Sequence, residues 1–198
     1  DLLRMNIFAI EFMNNSSIKS VINSFGFNKI ANEENDYLLL EYFDESIEST
    51  FLDLLDKGIL NDVLISRDSK DYHQLWEYRL RITESLHPEN IKKFDIAVPV
   101  KNFITLIHNI EATLDFIEKD DLIMFGHIGD GNLHLNINNY DRYKNMNVKK
   151  VVYELTISLD GTISAEHGLG FIKKSDFYSY PSHKNMEHLK KLKKVFDP

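Results

Sequence analysis

The 198-residue chain contains no cysteine, which excludes disulfides, thiolate metal ligands and dithiol redox chemistry. Any metal would have to be held by imidazole and carboxylate groups. No apolar stretch approaches the ~20 residues of a membrane-spanning helix, and no basic-plus-apolar signal segment opens the chain. Glycine is sparse at eight residues, which nowhere form the loop that cradles a dinucleotide pyrophosphate. Positive charge is in deficit: 23 Lys and Arg stand against 31 Asp and Glu, a formal charge of −8. That argues against a nucleic-acid partner, because phosphate binding needs clustered cations. The Lys-rich stretch Lys190-Lys191-Leu192-Lys193-Lys194 reads as the solvated face of a last helix. The 43% hydrophobic content is that of an ordinary globular chain, and the length suits one domain with a real core.

Hydrophobic periodicity predicts strands over 5–12, 36–43, 62–66 and 93–100, and helices over 16–25, 45–57, 71–86, 102–117 and 147–159. Gly26, Gly58 and Gly161 stand where helices should stop, and Pro88 blocks continuation of the longest one. Strand–helix alternation with neighbouring strands often antiparallel predicts an α+β sheet covered by helices on one face.

The densest chemistry lies in Gly126-His127-Ile128-Gly129-Asp130-Gly131-Asn132-Leu133-His134-Leu135-Asn136, followed by Ser164-Ala165-Glu166-His167-Gly168. Gly129-Asp130-Gly131-Asn132 is a run of turn formers between two strand-like stretches, Leu122-Ile123-Met124-Phe125 and Leu133-His134-Leu135-Asn136-Ile137. A hairpin turning on those four residues sets His127 directly opposite His134, with Cβ atoms ~5 Å apart on one face. That spacing lets both imidazoles reach one metal ion. In the second strand Leu133, Leu135 and Ile137 alternate with His134, Asn136 and Asn138, giving one apolar and one polar face. Glu166 is the candidate third ligand, and His167 a group beside the metal. Two imidazoles and one carboxylate leave coordination positions open, as catalysis requires. Such a set accepts Zn²⁺, Mn²⁺, Fe²⁺ or Co²⁺. On the predicted 71–86 helix, Arg79 and Thr83 form an i, i+4 pair beside an apolar stripe, and Lys93 and Asp95 share a face of the next strand.

These motifs resemble the C-terminal part of FAD-linked oxidases of the vanillyl-alcohol-oxidase type. The resemblance is greatest to the D-2-hydroxyglutarate dehydrogenase branch, with D-lactate dehydrogenases and glycolate oxidase subunits as relatives. It also rests on Glu11-Phe12-Met13, on Leu75-Trp76-Glu77-Tyr78-Arg79-Leu80-Arg81-Ile82-Thr83-Glu84 and on Lys93-Phe94-Asp95-Ile96-Ala97-Val98-Pro99-Val100, in family order across nearly the whole chain. The resemblance implies an antiparallel, ferredoxin-like substrate domain over 1–198, with the flavin-binding domain of the family absent from this chain. A domain excised in this way is expected to be inactive by itself. Relatives of this kind work in the cytoplasm of bacteria or the mitochondrion of eukaryotes.

The implied chemistry is oxidation of a D-2-hydroxy acid. Zn²⁺ or a similar ion on His127, His134 and Glu166 would bind the substrate, and His167 would act as general base. Asn136 would hydrogen-bond the substrate near the metal, and Asp130 would brace its turn or orient a ligand. By the same resemblance Arg79, Thr83 and Lys93 hold a substrate carboxylate. The hydride goes to FAD, which the other domain of the parent holds and an external electron acceptor reoxidises. The residues alone also admit a metal-dependent hydrolase on the same ligands, or a non-catalytic α+β ligand-binding module.

Overall fold

Period-two alternation of large apolar side chains builds five strands, and amphipathic segments between them build the helices. A computed structural model describes residues 7–28, 30, 35–43, 47–86, 88–180 and 186–197. The strands are β1 (Ile7–Met13), β2 (Tyr37–Tyr42), β3 (Ile91–Ala97), β4 (Leu122–His127) and β5 (Asn132–Asn138). The first helices are α1 (Asn15–Phe25), α2 (Ile47–Asp56), α3 (Ser69–Leu80) and α4 (Ile82–Ser85). They are followed by α5 (Phe103–Thr113), α6 (Val148–Ser158), α7 (Lys174–Ser179) and α8 (Met186–Phe196). None of the described helices is long and apolar enough to cross a membrane.

The sheet order is β2-β1-β4-β5-β3, with every neighbouring pair antiparallel. Because β3 and β4 both run opposite to β5, they are parallel to each other, and α5 makes the crossover between them. This is the α+β antiparallel sheet covered by helices that the sequence predicts. Helices pack on both faces, however, and not on one. On one face Phe94, Ile96, Met124, Leu133, Leu135 and Ile137 form the main core with Phe103, Leu106 and Ile110 of α5 and Val148 and Val152 of α6. On the other, Met13, Ile123 and Phe125 pack under Ile18 and Val21 of α1 and under Tyr78, Ile82 and Leu86. The second cluster leaves the rest of its face to polar side chains, and there the candidate site lies.

Asn14 ties the second cluster to the sheet. Its side chain caps α1 by accepting from the Ser17 amide at 3.0 Å, accepts from the Met124 amide at 3.0 Å, and donates to the Leu122 carbonyl at 2.8 Å.

Three local expectations are corrected. Residues 62–66 form no strand and pair with none of the described ones, and Leu64 and Ile65 are exposed. Alternation marked that segment as able to form a strand but could not show that no sheet edge receives it. The 71–86 helix begins earlier, at Ser69, where the Asp68 carboxylate caps the Lys70 and Asp71 amides. It is also interrupted at Arg81, whose ψ is near 0°. No glycine or proline marks that break; it follows the burial of Ile82 and Ser85 beyond it, with the Ser85 and Ser20 hydroxyls 2.8 Å apart. The expected starts at Met5 and Glu45 lie outside the described residues.

The hairpin register differs from the expected one by two residues. Phe125, not His127, lies opposite His134, and a 3-10 turn at Ile128–Asp130 followed by Gly131 at φ 67° links the strands. Two close approaches set this register. A Cβ on Gly126 would lie 2.1 Å from the Asn132 carbonyl oxygen, and one on Gly131 would lie 1.9 Å from that of Val98. The Val98 amide in turn donates to the Gly131 carbonyl at 3.0 Å. Gly131→Ala would force a left-handed backbone on a residue with a Cβ and push the hairpin off β3. It is expected to cost about 2–3 kcal/mol, measurable by urea titration.

Candidate metal centre

A two-residue slip keeps every side chain on its face, whereas a one-residue slip would have reversed them all. His127 and His134 therefore still meet, as diagonal neighbours with ring centroids 5.7 Å apart and planes at 85°. The pairing Glu11↔His127 between β1 and β4, and Asp95↔His134 between β3 and β5, adds a carboxylate on each outer side. Two imidazoles thus stand between two buried acids, with Glu11 5% and Asp95 6% exposed.

Glu11 organises one half of this row. One carboxylate oxygen is 2.6 Å from His127 Nδ1, and the other accepts from Arg79 Nε at 2.7 Å. A hydrogen bond from Nδ1–H to this carboxylate is the arrangement that leaves the Nε2 lone pair for a cation. Arg79 also stacks over the Phe125 ring, at 4.7 Å from guanidinium carbon to centroid.

The loop 164–168 closes the site from above. His127 Nε2 is 3.4 Å from one Glu166 oxygen, and His134 Nε2 is 3.9 Å from the other. The ligating atoms of His127, His134 and Glu166 all lie within 4.8 Å of one another. Ligands bonded to Zn²⁺ at ~2.0–2.1 Å in tetrahedral array sit about 3.4 Å apart, so only a small closure is needed. His167 lies next to His134, ring centroids 6.3 Å apart, and is exposed. Burial pushes the His134 pKa down; Glu166 and Asp95 oppose that shift, and Arg79 and His127 add to it. The ring is therefore held neutral, the form that binds metal.

Buried polar atoms without partners give an independent test of fit. Asn136 Nδ2, Asn132 Oδ1 and Asp95 Oδ1 are buried and make no hydrogen bond among the described residues. Each such atom costs about 1–3 kcal/mol when nothing pairs with it. All three belong to β3 and β5 on the face that carries the two imidazoles, where an oxygen-rich ligand and a cation would offer partners. The donor set fits a divalent ion.

The remaining candidates divide. Asn136 pairs across the sheet with Lys93, which is exposed, so both stand on the site face. Arg79 reaches the centre through Glu11, not through a surface acid. Thr83 is exposed on the short α4, and its hydroxyl has no hydrogen-bond partner among the described residues. Asp130 is exposed in the turn and lines a cavity of about 290 Å³ with Glu11, His127 and Gly129. Glu11, Asp95 and Asn132, which donates to Glu166 at 2.7 Å, were not singled out as site residues from the sequence. A signal existed for Glu11: it is the one charged residue in the otherwise apolar strand Ile7-Phe8-Ala9-Ile10-Glu11-Phe12-Met13.

Residues 3–198 match the family described as FAD linked oxidases, C-terminal domain. The chain belongs to that family. It is 32% identical over 202 residues to a mitochondrial D-2-hydroxyglutarate dehydrogenase of Arabidopsis thaliana, covering 96% of this chain and 36% of the relative. It is 30% identical over 209 residues to a D-2-hydroxyglutarate dehydrogenase of Xanthomonas citri, covering 98% and 44%. A Schizosaccharomyces pombe protein, named provisionally as a mitochondrial D-lactate dehydrogenase, is 35% identical over 212 residues, covering 96% and 40%. The domain thus spans less than half the length of these relatives.

Proposed function

We propose that the domain is the substrate- and metal-binding part of a flavoprotein dehydrogenase. Its parent would oxidise a D-2-hydroxy acid, of the 2-hydroxyglutarate or lactate class, to the 2-oxo acid with hydride transfer to FAD. The observation that carries this is the convergence of His127, His134 and Glu166 within ligand reach, beside His167, in a member of the FAD-linked oxidase family. The names of the relatives support the substrate class. Family membership favours this reading over a metal hydrolase on the same ligands.

His127 and His134, through Nε2, and the Glu166 carboxylate would hold Zn²⁺ or a similar ion. When bound, the ion supplies Lewis-acid polarisation of the substrate hydroxyl, and the flavin supplies the hydride acceptor. Among the described residues no glycine-rich loop opens onto a helix, so a flavin-binding domain of the same parent would hold FAD. An electron acceptor outside the domain would reoxidise it. The mitochondrial relatives support that address in a eukaryotic parent; in a bacterial parent the expected address is the cytoplasm.

His167 takes the hydroxyl proton, a role its exposed position beside His134 permits. Asn136 Nδ2, buried and without an acceptor among the described residues, donates to the substrate. Only Nε of Arg79 is engaged by Glu11, which leaves its terminal nitrogens for a second substrate carboxylate, with Lys93 and Thr83 as further donors.

The direct test is anaerobic mixing of the flavin-loaded parent with D- and L-2-hydroxyglutarate and D-lactate. Flavin bleaching by a D acid and not by its L form is expected; no bleaching by any D-2-hydroxy acid would overturn the reading. Arg79→Lys keeps the charge facing Glu11 but loses the planar fork. It is expected to raise KM for diacids about tenfold and to leave KM for lactate unchanged. Equal KM changes for both would remove Arg79 from the substrate pocket.

A further inference from the structure

We propose that Asp95 is a positioning residue: one of its oxygens gathers the amides that carry the third ligand and the base, and the other faces the His134 ring. Asp95 Oδ2 accepts from three consecutive backbone N–H groups, Ala165 at 3.1 Å, Glu166 at 2.9 Å and His167 at 3.1 Å. The Ala165 amide also reaches the Asp95 carbonyl at 3.3 Å. Residues 163–168 belong to no helix or strand, and this carboxylate is the shared acceptor for the three amides that carry the site end of the loop. Successive amides turned to one point form a concavity that selects a negative charge. Here that charge comes from β3, directly across from His134.

Asp95 Oδ1 is buried, has no hydrogen bond among the described residues, and lies 3.7 Å from His134 Nδ1. A slight turn of the ring makes this a hydrogen bond that commits Nε2 to the Glu166 side. Asp95 would then do for His134 what Glu11 does for His127. Lys173 backs the arrangement, with Nζ donating to the Ile163 carbonyl at 3.1 Å and the Ser164 hydroxyl at 3.3 Å. Burial would raise the Asp95 pKa, but the amides of His167 and Glu166, with Lys173 and His134, hold it below the usual carboxylate value.

Anchoring of the loop stands by itself; its consequence for metal affinity rests on the proposed metal centre. The test uses the full chain, with Asp95→Ala, Asp95→Asn and the core control Ile96→Val. Amide exchange is followed at 165–167 without metal, and Co²⁺ affinity is measured against a competing chelator. Asp95→Ala is expected to speed exchange at those three amides about 10- to 100-fold. It should also weaken Co²⁺ about 10- to 100-fold. Asp95→Asn keeps an acceptor oxygen and should recover part of both. Ile96→Val should lower thermal stability and change neither.

Wild-type exchange in both Asp95 variants would overturn the anchor. Fast exchange with unchanged Co²⁺ affinity would overturn its role at the centre. Should the wild-type chain bind no Co²⁺, the metal reading fails and the exchange rates still decide the anchor. Where Asp95→Ala does not fold, Asp95→Asn carries the test: intermediate values support the role, and values equal to wild type contradict it.

Discussion

His134→Ala is expected to abolish stoichiometric metal binding by the domain, and with it flavin reduction in the parent. The ring is the most enclosed of the proposed ligands, with its side chain 14% exposed against 35% for His127 and 46% for Glu166. Its Nε2 faces Glu166, and its neutral state is enforced by burial. Lewis-acid stabilisation is worth several kcal/mol, so flavin reduction should fall by about a thousandfold or more. FAD should remain bound, because the substitution removes one proposed metal ligand and nothing else. Metal content per chain and the rate of anaerobic flavin bleaching check the two halves separately. Turnover close to that of the wild type would refute the metal model.

Glu11→Ala should have the largest effect on stability. The Glu11 and Arg79 side chains are only 6% and 9% exposed, and the substitution leaves a buried guanidinium with no carboxylate. Removing one partner of a buried ion pair costs about 3–5 kcal/mol, readable as a shift in the urea midpoint. His127 loses its Nδ1 acceptor at the same time, so the neutral ring is free to put its proton on Nε2, where the metal should bind. Glu11→Gln separates the effects, since its amide oxygen still accepts from Arg79. It should retain most of the stability and bind metal about 10- to 100-fold more weakly. A Gln variant with wild-type affinity would confine Glu11 to a packing role.

The sequence made the candidate centre legible because its proposed ligands fall in two short motifs, one of them carried by a reverse turn. His127, His134 and Glu166 were recognisable from residue type and spacing, but the hairpin register was not. Turn formers at 129–132 fit a tight loop, whereas the observed register answers to backbone contacts at Gly126 and Gly131 with Asn132 and with Val98 of the β3 end. A local motif cannot display a constraint that arrives from another strand. Asp95 was hidden for the same reason. Its proposed role depends on amides 70–72 residues away, and backbone N–H groups leave no trace in residue identity. Arg79 was visible as a cation on a helix, while its partner on β1 becomes apparent only when β1 and β4 are paired. The helix break at Arg81 and the unpaired 62–66 segment likewise follow from packing, not from breakers or periodicity.

The most direct measurement is X-ray absorption on the Zn²⁺-loaded chain, wild type beside His134→Ala. The expected result is one ion per wild-type chain in a nitrogen and oxygen shell at about 2.0–2.1 Å with scattering from two imidazoles, and no stoichiometric ion in His134→Ala. Failure to bind one equivalent, or a bound ion with no imidazole in its shell, would contradict the assignment of His127, His134 and Glu166 as its ligands.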